Sequence, residues 1–307
     1  MADIDLKQAE QTAIAIAESD ADLSEHVESP GRAALTRFLR NRMAVISTAV
    51  LALIVIGCFL GPQLFGYAPD DTDFDAMNAP IDLTSAHLLG TDDLGRDMLL
   101  RLMSGGQVSL IIGLVATIVA VAIGVLYGSI AGFFGGAVDQ VLMRIADILY
   151  GVPYIFQVIL ISVAMGRGKV AVIVAVMLTL WLTPSRIVRA QAITLRNREF
   201  IEAARAGGMS RLAIVLRHIM PNCLGVVIVY SSLLVPDVIL SESLLSFLGL
   251  GVQPPESSWG VLIADGRAKI ESDPRMLLIP GLALALTLLC LNFVADGLRD
   301  AFDPNER

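Results

Sequence analysis

Six long apolar blocks interrupt an otherwise polar chain, and they limit its fold more than any other feature. A helix needs about 20 mainly apolar residues to cross the hydrocarbon core of a bilayer. Charged residues make up only 17% of the chain, against about a quarter in soluble domains, and they are concentrated between the blocks. We therefore predict an all-α membrane protein with six transmembrane helices. The blocks are Met43–Phe65, Val108–Phe134, Ile148–Met165, Val170–Val188, Cys223–Ser241 and Met276–Val294.

Two of the blocks have unusual ends. Asp139–Asp147 precedes the third block and has the charge pattern of an amphipathic helix. Pro184 and Arg186 lie inside the fourth block and are predicted to interrupt its end.

The second block carries a glycine at every fourth position, at Gly124, Gly128 and Gly132. This spacing lets two helix backbones approach closely. The stripe predicts either packing within this chain or a seam with a second subunit, and both readings stay open.

The basic residues predict which side of the membrane each connection occupies. An even number of spans places both termini on one side. If that side is the cytoplasm, its segments hold about twice as many lysines and arginines as the other side, as the positive-inside rule expects. Residues 1–30 are strongly acidic and are predicted to be a soluble tail. We predict cytoplasmic tails at 1–42 and 297–307, a first transmembrane helix at 43–65, an extracytoplasmic loop at 66–106 and a transmembrane core at 107–296.

The connection 196–222 is the most informative polar segment. Residues 196–206 are long enough for about three turns of a helix lying on the membrane surface. Gly207 and Gly208 follow, where a helix end favours positive φ, and Ser210 is suited to cap the next helix. The alternative, that the arginines here merely obey the positive-inside rule, does not explain this order.

Within this connection, Glu202-Ala203-Ala204, followed by Gly208 after three intervening residues, resembles the EAA loop of binding-protein-dependent ABC importers. The resemblance implies a coupling helix that sits in a groove on a cytoplasmic ATPase. The segment 217–222, with His218 where the general pattern has an apolar residue, resembles the dipeptide and oligopeptide permeases. The residues implied to couple to the ATPase are Glu199, Phe200, Glu202, Ala203, Ala204, Gly207, Gly208, Arg217, His218 and Pro221.

Three further segments resemble the C-type permease subunit of those importers, in the expected order around the loop. They are 87–97 with Arg101 and Gly105, 243–251 with Pro254, Pro255, Trp259 and Gly260, and 296–300 with Asp303 and Pro304. Ser241, before Glu242, and Ala295, before Asp296, depart slightly from the family's pattern. The resemblance extends from about Arg32 to Asn305.

The resemblance implies a type I importer permease (MetI-like) fold and a set of partners. These are a second homologous permease subunit, two cytoplasmic ATPases, an extracytoplasmic binding protein and a peptide cargo, with nickel or glutathione as alternative cargoes. ATP and Mg are expected on the ATPases, with no cofactor on this chain. The chain has no phosphate-binding loop, since Gly166–Lys169 is too short, and no zinc-hydrolase motif. We therefore expect no catalysis, no metal site and no nucleic-acid partner.

Two acids lie at the outer end of the fifth block, where charge is expensive unless it faces a cavity or a partner. We hypothesise that Asp237 and Glu242, with Phe247, Gly249 and Gly251, line or close the outer mouth of a passage. Two alternatives to this hypothesis stay open. In the first, Glu242 caps a re-entrant turn; in the second, both acids are ion sites of a transporter that works alone.

Two other charged clusters are predicted to be structural. Arg144 and Asp147 are three residues apart and able to pair on one helix face. A second group is predicted to form a self-paired network in the outer loop, unless that loop is the landing surface of a binding protein. Its members are Asp92, Asp93, Arg96, Asp97 and Arg101.

Overall fold

A computed structural model describes residues 30–302, so residues 1–29 of the predicted tail 1–42 and residues 303–307 of the predicted tail 297–307 lie outside the described residues. The described part is nearly all helical, with a single bridge between Thr91 and Asp97 as its only β pairing. Its helices are α1 (Pro30–Arg40), α2 (Arg42–Leu60), α3 (Met98–Phe134), α4 (Gly136–Tyr150), α5 (Tyr154–Met165), α6 (Lys169–Leu180), α7 (Leu182–Leu195), α8 (Glu199–Ala206), α9 (Arg211–Ile214), α10 (Met220–Phe247), α11 (Trp259–Arg267) and α12 (Arg275–Phe302). A π-helical turn, Val215–Ile219, joins α9 to α10.

Five helical segments of the described chain are long and apolar enough to cross a membrane. They are Arg42–Leu64, Met98–Phe134, Lys169–Leu195, Arg211–Phe247 and Arg275–Phe302. Two of them have 37 residues, about 55 Å of helix, and therefore extend beyond a hydrocarbon core of about 30 Å. The bilayer side that carries residues 196–222 is called the basic side below, and the other the opposite side.

Several helix ends lie beyond the apolar blocks. The helix of the second block, α3, begins at Met98 rather than Val108. Asp97 caps it by accepting the Leu100 N–H at 2.7 Å. The outer loop is correspondingly shorter than 66–106. The last helix continues to Phe302, into the segment predicted to be a tail.

The third predicted span, Ile148–Met165, is not one straight helix: it belongs to the bent pair α4 and α5, and counting that pair as one broken span gives the predicted total of six. The chain bends by 87° between α4 and α5. The second of these helices has 12 residues, about 18 Å, too short to cross the membrane alone. Pro153 explains the break, because it lacks an N–H and disfavours helical backbone in the residue before it. The Gln157 amide donates to the carbonyls of Leu149 and Val152 at the bend, at 2.6 and 2.7 Å.

The predicted interruption of the fourth block at Pro184 and Arg186 is wrong. Pro184 falls in the first turn of α7, where the backbone N–H has no helical partner and proline costs little. The helices α6 and α7 therefore run on as the single span Lys169–Leu195.

The glycine stripe of α3 packs against α7 of the same chain. A Cβ placed on Gly124 would lie 2.7 Å from the Cβ of Pro184, and one on Gly132 would lie 2.8 Å from the Cβ of Ala192. A Cβ placed on Gly128 would lie 2.3 Å from the Ser185 carbonyl oxygen and 2.9 Å from the Arg189 backbone nitrogen. The stripe serves packing within one subunit, and this face is closed to a dimer seam.

The remaining spans surround this pair. On one side Gly113 of α3 packs against Ile239 of α10. On the other side α1 and α2 pack on α12, where Gly297 contacts Ala44 and Phe38. The cysteines Cys58, Cys223 and Cys290 are buried and free, as small apolar residues of the core.

The predicted charge network on the opposite side is partly confirmed. The buried carboxylate of Asp92 accepts from Arg96 Nε at 2.7 Å and from Arg101 Nη1 at 2.6 Å. Asp97 instead pairs with His87 Nδ1 at 2.8 Å, and Asp93 pairs with Lys269. Sequence distance hid the second of these partners, because Lys269 enters the loop from a different part of the chain.

A tyrosine adjoins this network. Tyr67 Oη donates to Asp97 at 3.1 Å. Burial, together with the nearby Asp97 carboxylate, raises the pKa of Tyr67 to about 12, so the phenol keeps its proton and remains a donor.

Replacing Gly128 with alanine tests the α3–α7 contact. The added methyl group meets the backbone of α7, which has no room to relax, so we expect a loss of about 1–3 kcal/mol in unfolding free energy. Gly57→Ala is the matched control, since a Cβ at Gly57 meets nothing within 4 Å. Unfolding of the purified chain in detergent measures both. Equal stability of the two variants would contradict the packing described.

Replacing Asp92 with alanine tests the buried charge network. The guanidinium of Arg101, which is 5% exposed, would lose its closest carboxylate, and we expect about 3–5 kcal/mol of destabilisation. Asp93→Ala removes a carboxylate of an exposed pair and should cost about 1 kcal/mol or less. The double variant Asp92→Ala/Arg101→Leu should recover much of the loss. No recovery would show that Asp92 acts through another partner.

Candidate functional site

The surface helix predicted in the basic connection is present but shorter than expected. It begins at Glu199 and has eight residues, because residues 196–198 still belong to the turn that ends α7. Glu199 and Glu202 lie in its first turn and Arg205 in its last. This arrangement places each charge at the favourable end of the helix dipole.

One side chain anchors this helix to the membrane core. Ile201 is fully buried and packs in a cluster with Phe133 of α3, Ala192 of α7 and Ile219 of the π turn. Ile201 therefore links α8 to residues of three other elements.

The opposite face of α8 is open. Phe200 is 42% exposed, and Glu199, Glu202, Ala203 and Ala206 are also exposed, while Ala204 is half-buried. Small side chains at the centre of an exposed helix allow another surface to approach its backbone closely. The geometry thus separates an anchored inner face from an outer face that can receive a partner.

The exit from α8 follows the predicted order, with one correction. Gly208 has φ +79°, the conformation that favours glycine, whereas Gly207 has φ −71° and does not require it. The Met209 N–H donates to the Ala204 carbonyl at 3.1 Å. Ser210 caps α9, because its Oγ accepts from the Ala213 N–H at 3.3 Å.

The return into the membrane contains a feature that sequence reasoning missed. Arg217 and His218 lie in the π-helical turn, and Pro221 follows near the start of α10. Pro221 was the available signal, because a residue without an N–H disturbs the regular helical ladder. Within the described chain His218 Nε2 is buried without a hydrogen-bond partner, and its ring lies 6.4 Å from that of Phe200.

Ion pairs tie α4 to α7 beside this loop. Asp139 binds Arg189 through two hydrogen bonds of 2.5 and 2.6 Å, and Asp147 pairs with Arg186 at 2.7 Å. The predicted Arg144–Asp147 pair is wrong, because α7 supplies a partner that helix spacing alone does not reveal.

At the opposite end of α10, Glu242 is enclosed rather than open to solvent. Its carboxyl group is 0% exposed and accepts from Ser246 at 2.7 Å and from Ser109 of α3 at 3.1 Å. Ser109 Oγ in turn accepts from the Trp259 N–H at 3.2 Å. The acid therefore joins α3, α10 and α11, which suits the turn-holding alternative better than an open mouth or an ion site.

The other predicted mouth residues do not form one surface. Asp237 and Gly249 are exposed, whereas Gly251 is buried against Ser246. Phe247 is half-buried, with the Arg267 guanidinium 4.8 Å from its ring centre. In residues 30–302 no three histidine, cysteine or acidic side chains are grouped to hold a metal ion.

Two protein-family models match this chain. The family model described as binding-protein-dependent transport system inner membrane component matches residues 124–307. A second one, the N-terminal TM domain of oligopeptide transport permease C, matches residues 29–80.

Curated relatives resemble the chain over nearly its whole length. The oligopeptide transport system permease protein OppC of Escherichia coli K12 is 49% identical over 290 residues, covering 93% of this chain and 96% of the relative. OppC of Haemophilus influenzae is 45% identical over 294 residues, 94% of each chain. The dipeptide permease DppC of Bacillus subtilis is 38% identical over 272 residues, 88% of this chain and 84% of the relative.

Solved structures support the fold. The inward-facing MetNI methionine ABC transporter matches with a TM-score of 0.53 at 16% identity, covering 66% of this chain and 97% of that one. At this identity the likeness concerns the arrangement of helices alone. The family model over residues 124–307 and the relatives at 45–49% identity show that this chain belongs to the family of binding-protein-dependent transport system inner membrane components.

Proposed function

We propose that the chain is the C-type permease subunit of an ATP-driven peptide importer, with the basic side and both termini in the cytoplasm. The observation that carries this proposal is α8. It is a short surface helix with a buried anchor, an exposed face of small residues and a glycine-determined exit. Relatives named as oligopeptide and dipeptide permeases support peptides over nickel or glutathione as cargo.

The partners follow from this role. A second homologous permease subunit completes the passage, two ATPases dock on the basic side, and a binding protein delivers peptide on the opposite side. ATP and Mg bind to the ATPases, where hydrolysis occurs, and this chain carries no cofactor and catalyses no reaction. The ATPase-contacting group is the exposed face of α8 with its flanks at Gly208 and Arg217.

The mechanism is alternating access driven through α8. When the ATPases close on ATP, they displace α8, and Ile201 transmits the displacement to α3, α7 and the π turn. The segment Arg211–Phe247 spans the membrane without a sharp break, so movement at its basic end reaches the region of Glu242. The passage then opens on the opposite side.

Copurification tests the partners directly. A tagged chain is extracted in mild detergent, and the proteins that accompany it are identified by mass spectrometry. We expect a related permease and the ATPases, held through the exposed face of α8. Ala203→Trp places a bulky ring on that face and should reduce ATPase recovery at least about ten-fold, as expected when a well-packed contact loses about 1.4 kcal/mol or more.

Val141→Trp is the matched control, since Val141 is 60% exposed on α4 of the same side. It should leave ATPase recovery unchanged. A chain that is recovered alone and monodisperse would overturn the importer assignment.

Substituting Gly208 tests the transmission of movement. In Gly208→Ala the side chain must adopt φ +79°, which costs about 1–2 kcal/mol and favours a different exit angle from α8. We expect ATP hydrolysis to continue while peptide uptake falls several-fold. Gly207→Ala is the control, because φ −71° suits alanine. Normal coupling in Gly208→Ala would contradict the proposed path.

A further inference from the structure

A cleft of about 600 Å³ lies between the end of α3 and the flanks of α8. Three arginines line it, each from a different segment: Arg196 at the end of α7, Arg205 on α8 and Arg211 at the start of α9. Phe133 and Phe134, the last residues of α3, line its other wall. The cleft therefore combines three positive charges with an aromatic wall.

These arginines have no acidic partner in the described chain. No carboxylate of residues 30–302 lies within 4.0 Å of any of the three guanidinium groups. Glu202 stands three residues before Arg205 on the same helix and still makes no pair. Asp139, which acts on Arg196 from a distance, is already bound to Arg189.

Their contacts hold them in place without neutralising them. Arg196 donates to the Gly132 carbonyl at 3.2 Å, and the Arg205 guanidinium lies 5.3 Å from the ring centre of Phe133. Neither contact supplies a negative charge. Like charges around one cleft repel one another, so an anion bound between them lowers the energy of the whole group.

The depth of the cleft indicates which anion is available. Phe133 and Phe134 end the apolar part of α3, and charged residues resume at Asp139, so the cleft lies where the apolar part of the span gives way to the polar side. Phosphate groups of lipids lie at this level, and basic pockets between transmembrane helices bind acidic headgroups. Phe134 is half-buried beside the arginines, and its ring offers an apolar surface on which the glycerol and upper acyl chain of a lipid can pack, a surface that a soluble anion would not use.

We propose that this cleft binds the phosphate headgroup of an anionic phospholipid, and that the bound lipid ties both flanks of α8 to the end of α3. The consequence for energy coupling rests on the proposed function and on its orientation. The binding itself does not, because lipid retention is measured without ATP, cargo or transport.

The test measures retained lipid. The purified complex is incorporated into nanodiscs of equal parts phosphatidylcholine and phosphatidylglycerol, re-extracted in detergent, and examined for bound phosphatidylglycerol by native mass spectrometry. Wild-type protein should retain the acidic lipid. Arg205→Gln/Arg211→Gln should lose about thirty-fold in affinity, from the usual contribution of each arginine near an anionic surface.

Two variants make the result specific. Arg205→Lys keeps the charge and should keep the lipid. Arg144→Gln removes an exposed arginine from α4, on the same side and without a carboxylate within 4.0 Å, and should leave retention unchanged. If Arg144→Gln loses as much lipid as the double variant, only diffuse charge attracts the lipid, and the site does not exist.

Two other outcomes would overturn the proposal. Complete displacement of phosphatidylglycerol by millimolar inorganic phosphate would identify a soluble-anion site. If the double variant keeps its lipid but no longer recovers the ATPases, the arginines serve carboxylates of that partner instead.

Discussion

The close packing of α3 against α7 is the contact on which the rest of the structure depends. Gly124, Gly128 and Gly132 remove every side chain from one face of α3, and the backbone of α7 fills the space. Most of the other long helices pack on α3 as well. Because packed interiors tolerate little displacement, this contact holds α7 in position, and α8 follows directly from the end of α7.

One long helical segment connects a buried anchor on the basic side of the membrane with a buried acid on the opposite side. Ile201 inserts into the core on the basic side, and Glu242 joins α3, α10 and α11 on the opposite side. The segment from Arg211 to Phe247 links the two. A buried carboxyl group satisfied by hydroxyl donors is costly to disrupt, so this end behaves as a joint between helices rather than as an open binding surface.

Charge is used differently on the two faces of the loop region. Where α4 meets α7, Asp139 and Asp147 pair with arginines and hold the amphipathic helix in place. Around α8, Arg196, Arg205 and Arg211 have no carboxylate partner among residues 30–302, and the glutamates of α8 remain exposed. Such charges beside a helix with an exposed outer face are suited to contacts with groups outside the described chain.

Local pattern was enough to predict much of this molecule. Hydrophobic blocks identified five spans, and short-range rules identified α8, the positive φ of Gly208 and the Ser210 cap, because each depends on residues within a few positions. The pairing of Asp92 with Arg96 and Arg101 was predictable for the same reason. The resemblance of Glu202-Ala203-Ala204 and Gly208 to an importer loop indicated the family before any fold was known.

Tertiary structure decided what depends on distant residues. Ile148–Met165 is apolar enough for a span, yet the geometry at Pro153 bends it by 87°. Asp147 pairs with Arg186 rather than Arg144 because α7 packs alongside α4. The glycine stripe packs against α7 of the same chain rather than against a second subunit. For Glu242 the sequence left open a residue of the outer mouth and a cap on a turn; in the structure it is buried, with Ser109 of α3 donating to it from 133 positions away. Sequence specifies which groups need partners, and only packing determines which partners reach them.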